Sequence, residues 1–248
     1  MFQSKAVRIS VIVPVLHESG RVAALAEHLR RMAETDGVAV QIVFVDGDPK
    51  GSTLAALPGA REGGIVGLCA GPGRGAQMNA GAHIADGEVL LFLHADSRLP
   101  EGAFQRIDQV VSNGLSQAGA FDLAFDDPAW RFRALAATAR LRSRLERRPY
   151  GDQAHFFPRA VFFGLGGYPE IPLMEDVELM ERVRRRRLTL SILPDRVTVS
   201  ARRYVHEGFV RRIVRNLVLR AAHALGADPA RLARWYRPHS DSASGDDQ

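Results

Sequence analysis

The stretch LLFLHADSRLP (90–100) runs four apolar residues into His94 and Asp96 and then turns. In an extended chain, residues two apart face the same way, so His94 and Asp96 share a side with Ala95 opposite. An imidazole beside a carboxylate suits a divalent cation, and a cation with open positions takes the oxygens of a diphosphate. The plainer alternative is an Asp closing the turn before Pro100 and a His bonded to backbone. A second stretch, AGPGRGAQMNAG (70–81), has glycines that let backbone approach phosphate, and Arg74 adds a charged donor. It also satisfies G-x-G-x-x-A at Gly71, Gly73 and Ala76, with Asp96 about twenty residues on, as in dinucleotide-binding folds. That pattern normally follows the first strand of its fold, and here it follows the third.

Two further stretches carry acids. In IPLMEDVELMERVRRRR (171–187), acids lead and arginines trail, which suits a helix dipole. At about 100° per residue, Leu173, Val177, Met180 and Val183 form one apolar stripe. Asp176 projects into that stripe, and Glu175 and Glu178 point away. An inward acid in a first helical turn must cap, pair or react, so Asp176 is a candidate general base. In YGDQAHFFPR (150–159), Asp152 and Gln153 fit either an acceptor site or a turn.

The elements that must position these residues follow from periodicity. Strands are expected at 9–15, 40–46, 64–70 and 87–96, with helices at 19–35 and 75–85 between them. Strand and helix taking turns predicts a parallel sheet covered on both faces, with ligands at the carboxyl ends of the strands. Those ends carry Pro14 to Glu18, Asp46, Gly71 to Arg74, and His94 to Asp96, which points to one site. Beyond Pro100 the pattern predicts a helix to about 113 and an alternating strand at 118–126. Helices follow at about 128–147, 158–164 and 174–187, then short strands near 189–193 and 197–201. Two more helices are expected near 207–225 and 229–236, and a polar, disordered tail at 239–248.

Composition is that of an ordinary globular chain: 248 residues, 46% hydrophobic and 25% charged. One cysteine, Cys69, allows no internal disulfide and suits a reducing compartment. The opening MFQSKAVRISVIVPV has no apolar run of signal-peptide length, and no window reaches the roughly 18 apolar residues of a membrane span. A cytoplasmic protein is expected. The net charge of +5, with arginines clustered at 131–148, 184–187 and 202–220, suits an anionic partner.

Together these stretches resemble glycosyltransferase family 2, the inverting transferases with a nucleotide-diphosphosugar-binding GT-A fold. SVIVPVLHE is similar to that family's first strand and V-P-x-x-N-E turn, and VFVDGDPKGST to its second strand and acidic loop. GRGAQMNAGAHIADGEVLLFLHADSRLP resembles the segment ending in the D-x-D metal motif. GGYPEIPLMEDVEL resembles the acceptor segment with its Glu-Asp pair. The order matches over roughly 9–200. The H-A-D form, the G-D-Q segment and the basic C-terminal helices look closest to a small subgroup associated with radical-SAM and selenoprotein gene neighbourhoods. The chain departs from the family at His17, where Asn is usual, at Asp48, Pro49 and Gly51, and at His94, which replaces the first Asp of D-x-D.

The resemblance implies one GT-A-like α/β domain over 1–238. Its nucleotide-binding half is 8–100, its acceptor half 101–204, and its C-terminal helices 205–238. It implies transfer of a hexosyl group from a nucleotide-diphosphate sugar, a UDP-sugar above all, with inversion and Mg²⁺ or Mn²⁺. Pro14 and Glu18 would line the nucleoside pocket, Asp46 would contact base or ribose, and Arg74 would lie near base or phosphate. Asp96, with His94, would hold the metal. Asp152 and Glu175 would bind substrate, and Asp176 would take the acceptor proton. The acceptor is left unnamed. In EGFVRRIVRNLVLRAAHALG (207–226), Phe209, Ile213, Leu217, Ala221 and Ala224 share a face with Arg211, Arg212 and Arg215 outside it. Such a helix suits a peripheral contact on the inner membrane face and a lipid-linked acceptor, or simple packing on the core. Two rival readings stand beside the transferase. One is an NAD(P)-dependent oxidoreductase using the Gly71–Ala76 loop, and the other a basic module that binds nucleic acid. The transferase reading expects no nucleic acid.

Overall fold

The structure, a computed structural model, describes residues 8–57 and 64–235. The expected tail at 239–248 lies outside them. Four strands open the chain: β1 (Ile9–Val15), β2 (Val40–Asp46), β3 (Ile65–Cys69) and β4 (Val89–Phe92). β1 pairs in parallel with β2 and β4, and β2 with β3. Helices α1 (Ser19–Asp36) and α2 (Arg74–Ile84) make the crossovers.

These strands are mostly apolar, as suits two covered faces, and the buried Ser10 donates to Gln41 (2.6 Å). Ile9, Val11, Val13, Phe44 and Leu91 join one core with Leu25 and Leu29 of α1. The alternate residues Ile12, Val43, Val45, Leu90 and Phe92 join a second core with Met78 of α2. A period of two sends neighbouring side chains to opposite faces, so a doubly covered strand has no solvent-facing side.

The second half completes the sheet. Its elements are β5 (Ser97–Arg98), α3 (Ala103–Ser112), β6 (Ala118–Phe125), α4 (Trp130–Glu146), β7 (Phe156–Pro158), α5 (Arg159–Gly164), α6 (Glu175–Arg185) and β8 (Leu190–Val199). Among the described residues the strand order is β3-β2-β1-β4-β7-β6-β8-β5. β7 runs antiparallel to β4 and β6, and β5 antiparallel to β8. The chain ends in α7 (Arg202–Glu207), α8 (Phe209–Ala224) and α9 (Pro229–Trp235). A mostly parallel sheet flanked by helices, followed by a helical C-terminal region, is the architecture expected from the sequence.

Four expectations are corrected. The two short strands near 189–193 and 197–201 are one strand, β8. Its pairing slips between Leu193, opposite Phe121, and Arg196, opposite Asp122, so Pro194 and Asp195 bulge out of register. The strand expected at 87–96 ends at Phe92, and His94 accepts a hydrogen bond from the Ser97 N–H (3.0 Å) in a turn. The helix expected at 207–225 begins only after Gly208, which separates α7 from α8. Finally, the buried side of α6 is Glu175, Leu179, Met180 and Val183. Glu175, expected to point away from the apolar stripe, lies on the buried line i, i+4, i+8, because α6 is rotated toward the second core.

Candidate active site

Side chains from β-sheet ends, one turn and the C-terminal helices meet in a single pocket. Arg74, His94, Asp96, Asp152, Glu175 and Asp176 all line it. α2 sets one edge. Its Gln77 donates to the carbonyls of Val15 (2.9 Å) and Val45 (2.8 Å), tying the ends of β1 and β2 together. Its Asn79 exchanges two hydrogen bonds with the Tyr168 backbone (2.8 and 2.9 Å), which fixes the segment leading into α6. A Cβ at Gly75 would stand 2.5 Å from the Pro169 carbonyl oxygen, so only glycine permits this approach.

Asp176 sits in the first turn of α6. Its Oδ1 accepts the Val177 N–H (2.8 Å) and its Oδ2 the Gly151 N–H (2.7 Å). Gly151 opens a 3-10 turn, 151–153, anchored by Gln153. The Gln153 side chain accepts from Ser143 Oγ (2.7 Å) and donates to the Phe121 carbonyl (2.9 Å). The open alternatives for this stretch therefore divide between its two residues: Gln153 builds the turn and Asp152 faces the pocket. A methyl group on Gly151 would lie 3.3 Å from Asp176 Oδ2 and 3.4 Å from His94 Nε2. The missing side chain leaves the carboxylate and the imidazole facing one small space.

The charges in the pocket perturb one another. Burial, and after it the charge of Arg74, pushes the His94 imidazole down to about 4, against the pull of Asp96 and Asp176. His94 is therefore neutral near pH 7. Burial and the neighbouring Asp176 raise Asp152 to about 6. The same two causes, in the same order, raise Glu175 to about 7. Three carboxylates this close cannot all ionise cheaply once water is removed. Tyr150 is pushed up to about 12, chiefly by burial. The Arg142 guanidinium stacks 3.5 Å from the centre of the Tyr150 ring, and that of Arg220 stands 5.0 Å away. Backbone strain gathers here too. Met174, just before α6, and Ala154, just after the turn, have positive φ (68° and 50°).

Pro14, Glu18 and Asp46 lie outside this lining. Pro14 is paired in the sheet opposite Val45. Glu18 binds Arg21 (3.2 Å), and its N–H reaches Thr53 Oγ1 (3.3 Å). Asp46 is fully buried, and its two oxygens accept the N–H groups of Asp48 (3.0 Å) and Thr53 (2.8 Å). These residues shape the loops beyond β1 and β2. Sequence reasoning missed the far wall of the pocket: Tyr150, Arg203, Arg212 and Arg220. The arginine clusters were visible, but nothing in their spacing tells which arginines point inward.

Residues 10–167 match the family model described as Glycosyl transferase family 2. The chain belongs to that family. The matched stretch spans β1 through α5 and stops before Glu175 and Asp176, so the base candidate and the C-terminal wall lie beyond it. No curated protein matches the chain. Two solved structures similar to it are those of S. aureus TarS 1-349. The one in complex with UDP has a TM-score of 0.59 and 18% identity, covering 78% of this chain and 60% of that one. The one with UDP-GlcNAc has a TM-score of 0.58 and 17% identity, covering 78% and 58%. Our chain thus spans about three-fifths of the TarS fragment, and the likeness is one of fold. The Gly71–Ala76 loop of this family member follows β3, at the edge of the sheet. A dinucleotide fingerprint sits after a central strand, so the oxidoreductase reading loses its structural basis.

Proposed function

We propose that the chain transfers a glycosyl group from a nucleoside diphosphate sugar, a UDP-sugar first of all, to an acceptor hydroxyl with inversion. The observation that carries this is Asp176. It is a carboxylate aimed by two backbone N–H groups at the space it shares with His94 Nε2 and beside Asp96. The TarS structures hold UDP and UDP-GlcNAc in the same fold, which supports the donor class.

In this reading, Arg74 and the Asp96 turn receive the diphosphate, and Pro14, Glu18 and Asp46 shape the nucleoside end. Asp176 takes the proton of the acceptor hydroxyl as its oxygen bonds to the anomeric carbon. The bond to the diphosphate oxygen breaks on the opposite side, and the electron pair leaves with the diphosphate. A single displacement of this kind inverts the carbon. Asp152 and Glu175 bind hydroxyls of sugar or acceptor, and their raised affinity for protons lets them donate as well as accept.

Asp96 and neutral His94 are the residues that would hold Mg²⁺ or Mn²⁺. Among the described residues no group of three or more His, Cys, Asp or Glu side chains gathers around one point. His94 and Asp96 both line the pocket, and such ions complete their shell from substrate phosphates and water. The pair fits an ion that arrives with the nucleotide, where it would neutralise charge on the leaving diphosphate. Calorimetry with UDP, GDP and NADH, with and without Mn²⁺, tests the reading. UDP binding that needs Mn²⁺ and is lost in Asp96→Ala is expected. Binding of NADH alone, indifferent to metal, would overturn it.

A further inference from the structure

The structure rotates α8 by about a quarter turn from the face grouped in the sequence: Phe209 still packs on Phe132, while the buried line runs through Arg212 and Leu219. Arg212, expected outside the apolar face, is 8% exposed and lines the pocket, and Leu217, expected on that apolar face, is 55% exposed. The inner side of α8 is held by charge. Glu207 binds Arg212 (2.7 Å) and Arg215, Glu146 faces Arg220 (3.5 Å), and Glu178 meets His223 (3.0 Å). The outer side is apolar. Val210, Val214, Leu217, Val218 and Leu225 follow the spacing of one helical stripe, and all are exposed, Leu225 at 89%. Trp235 at the end of α9 is exposed too.

No helix among the described residues is long and apolar enough to cross a membrane. A stripe of this kind on a soluble surface marks an interaction site. The charge around it selects the partner. Residues 202–235 hold eight arginines against two acids, and Arg211, Arg231 and Arg234 are exposed beside the stripe. A second copy of the chain would bring these arginines against their own kind, which repels. An anionic lipid surface attracts them while its acyl boundary takes the valines, leucines and tryptophan.

We propose that the outer face of α8, with α9, docks on a bilayer rich in anionic lipid. The inner side of the same helix lines the pocket that holds Asp176 and Asp96, so one helix width, about 10 Å, separates the lipid headgroups from the pocket wall. A lipid-linked acceptor would reach the pocket from that side. Docking stands independently of the transferase reading, and only the delivery of such an acceptor rests on it.

Flotation of the full chain with vesicles tests the proposal. One set of vesicles mixes phosphatidylglycerol with phosphatidylcholine and the other is phosphatidylcholine alone. Wild type is expected to float with the first set and far less with the second. Leu217→Asp and Leu225→Asp are each expected to lower binding about ten-fold or more, with UDP affinity unchanged. Absence of flotation with the anionic vesicles overturns docking, and so does equal flotation of the aspartate variants. A wild-type dimer by light scattering that either substitution makes monomeric assigns the stripe to a second copy and also overturns it. UDP binding without vesicle binding would leave the transferase reading intact and remove this one. The converse result would do the opposite.

Discussion

The two walls of the pocket are built differently. The acid wall, with Asp96, Asp152, Glu175 and Asp176, stands on the sheet and on α6, over cores containing Phe44, Phe92, Phe157 and Leu179 at 1% exposure or less. The arginine wall, with Arg203, Arg212 and Arg220, stands on α7 and α8. In α8 only Arg212 and Leu219 are buried. Close apolar packing supports the first wall, and a packed interior leaves its side chains little room to shift. The second combines rings, Tyr204 and Phe209 packed on Phe125 and Phe132, with ion pairs, and of these the partly exposed Arg220–Glu146 pair is weak and screened by salt. The difference separates a wall set on two large apolar cores from one that rests on a small aromatic cluster and charge.

The largest expected effect concerns the acid wall alone. Asp176→Asn should lower transfer, measured as release of nucleoside diphosphate, by about 10²–10⁴-fold with donor binding little changed. Equal loss from Arg203→Ala would erase the distinction between the walls. Next, Phe44→Ala should cost about 3–5 kcal/mol of stability in urea, whereas Leu217→Ser on the outer face of α8 should stay within about 0.5 kcal/mol. Gly151→Ala inserts a methyl between Asp176 and His94, and should slow turnover about 10–100-fold with nearly normal melting. Ordinary melting with ordinary turnover would show that the close placement is unimportant.

Glu175 gives a pH test. Its folded value, about 7, lies above the ordinary carboxylate value of 4.5. The folded protein therefore binds the extra proton, and this contribution is complete below about pH 4.5 and is lost as pH rises through 7. Relative to wild type, Glu175→Gln should gain on the order of 3 kcal/mol at pH 8, and the difference should shrink toward pH 4.5 in pH-resolved melting. The smallest effect should come from salt. Raising it from 0.1 to about 1 M should speed hydrogen exchange in α8 and leave β1, β2 and β4 unchanged.

Much of the acid wall was legible in the sequence. The apolar runs at 9–15, 40–46 and 90–93 fix buried strands, and chemistry placed at their ends has to meet. His94, Asp96, Arg74 and Asp176 do line one pocket. The reason given for His94 and Asp96 sharing a side, strand alternation, does not survive, because a turn holds them. Asp46 shows the opposite outcome. It stands at the expected strand end, yet its oxygens are taken up by the loop after β2. Local sequence does not reveal which backbone N–H groups a loop will turn toward a carboxylate.

By itself the sequence determined the alternation of strands and helices in the first half, the doubly covered sheet and the candidate residues at the strand ends. Periods of two and near 3.6 are local properties of a chain. Only the tertiary structure decided the rotation of α6 that buries Glu175, the closeness of Gly151 to Asp176, and the side of α8 that meets the pocket. Each depends on which surfaces remain after distant segments have packed. In α8 the decision ran against the expected apolar face. Glu146, Glu178 and Glu207 drew arginines and a histidine inward, and the valines and leucines were left outside.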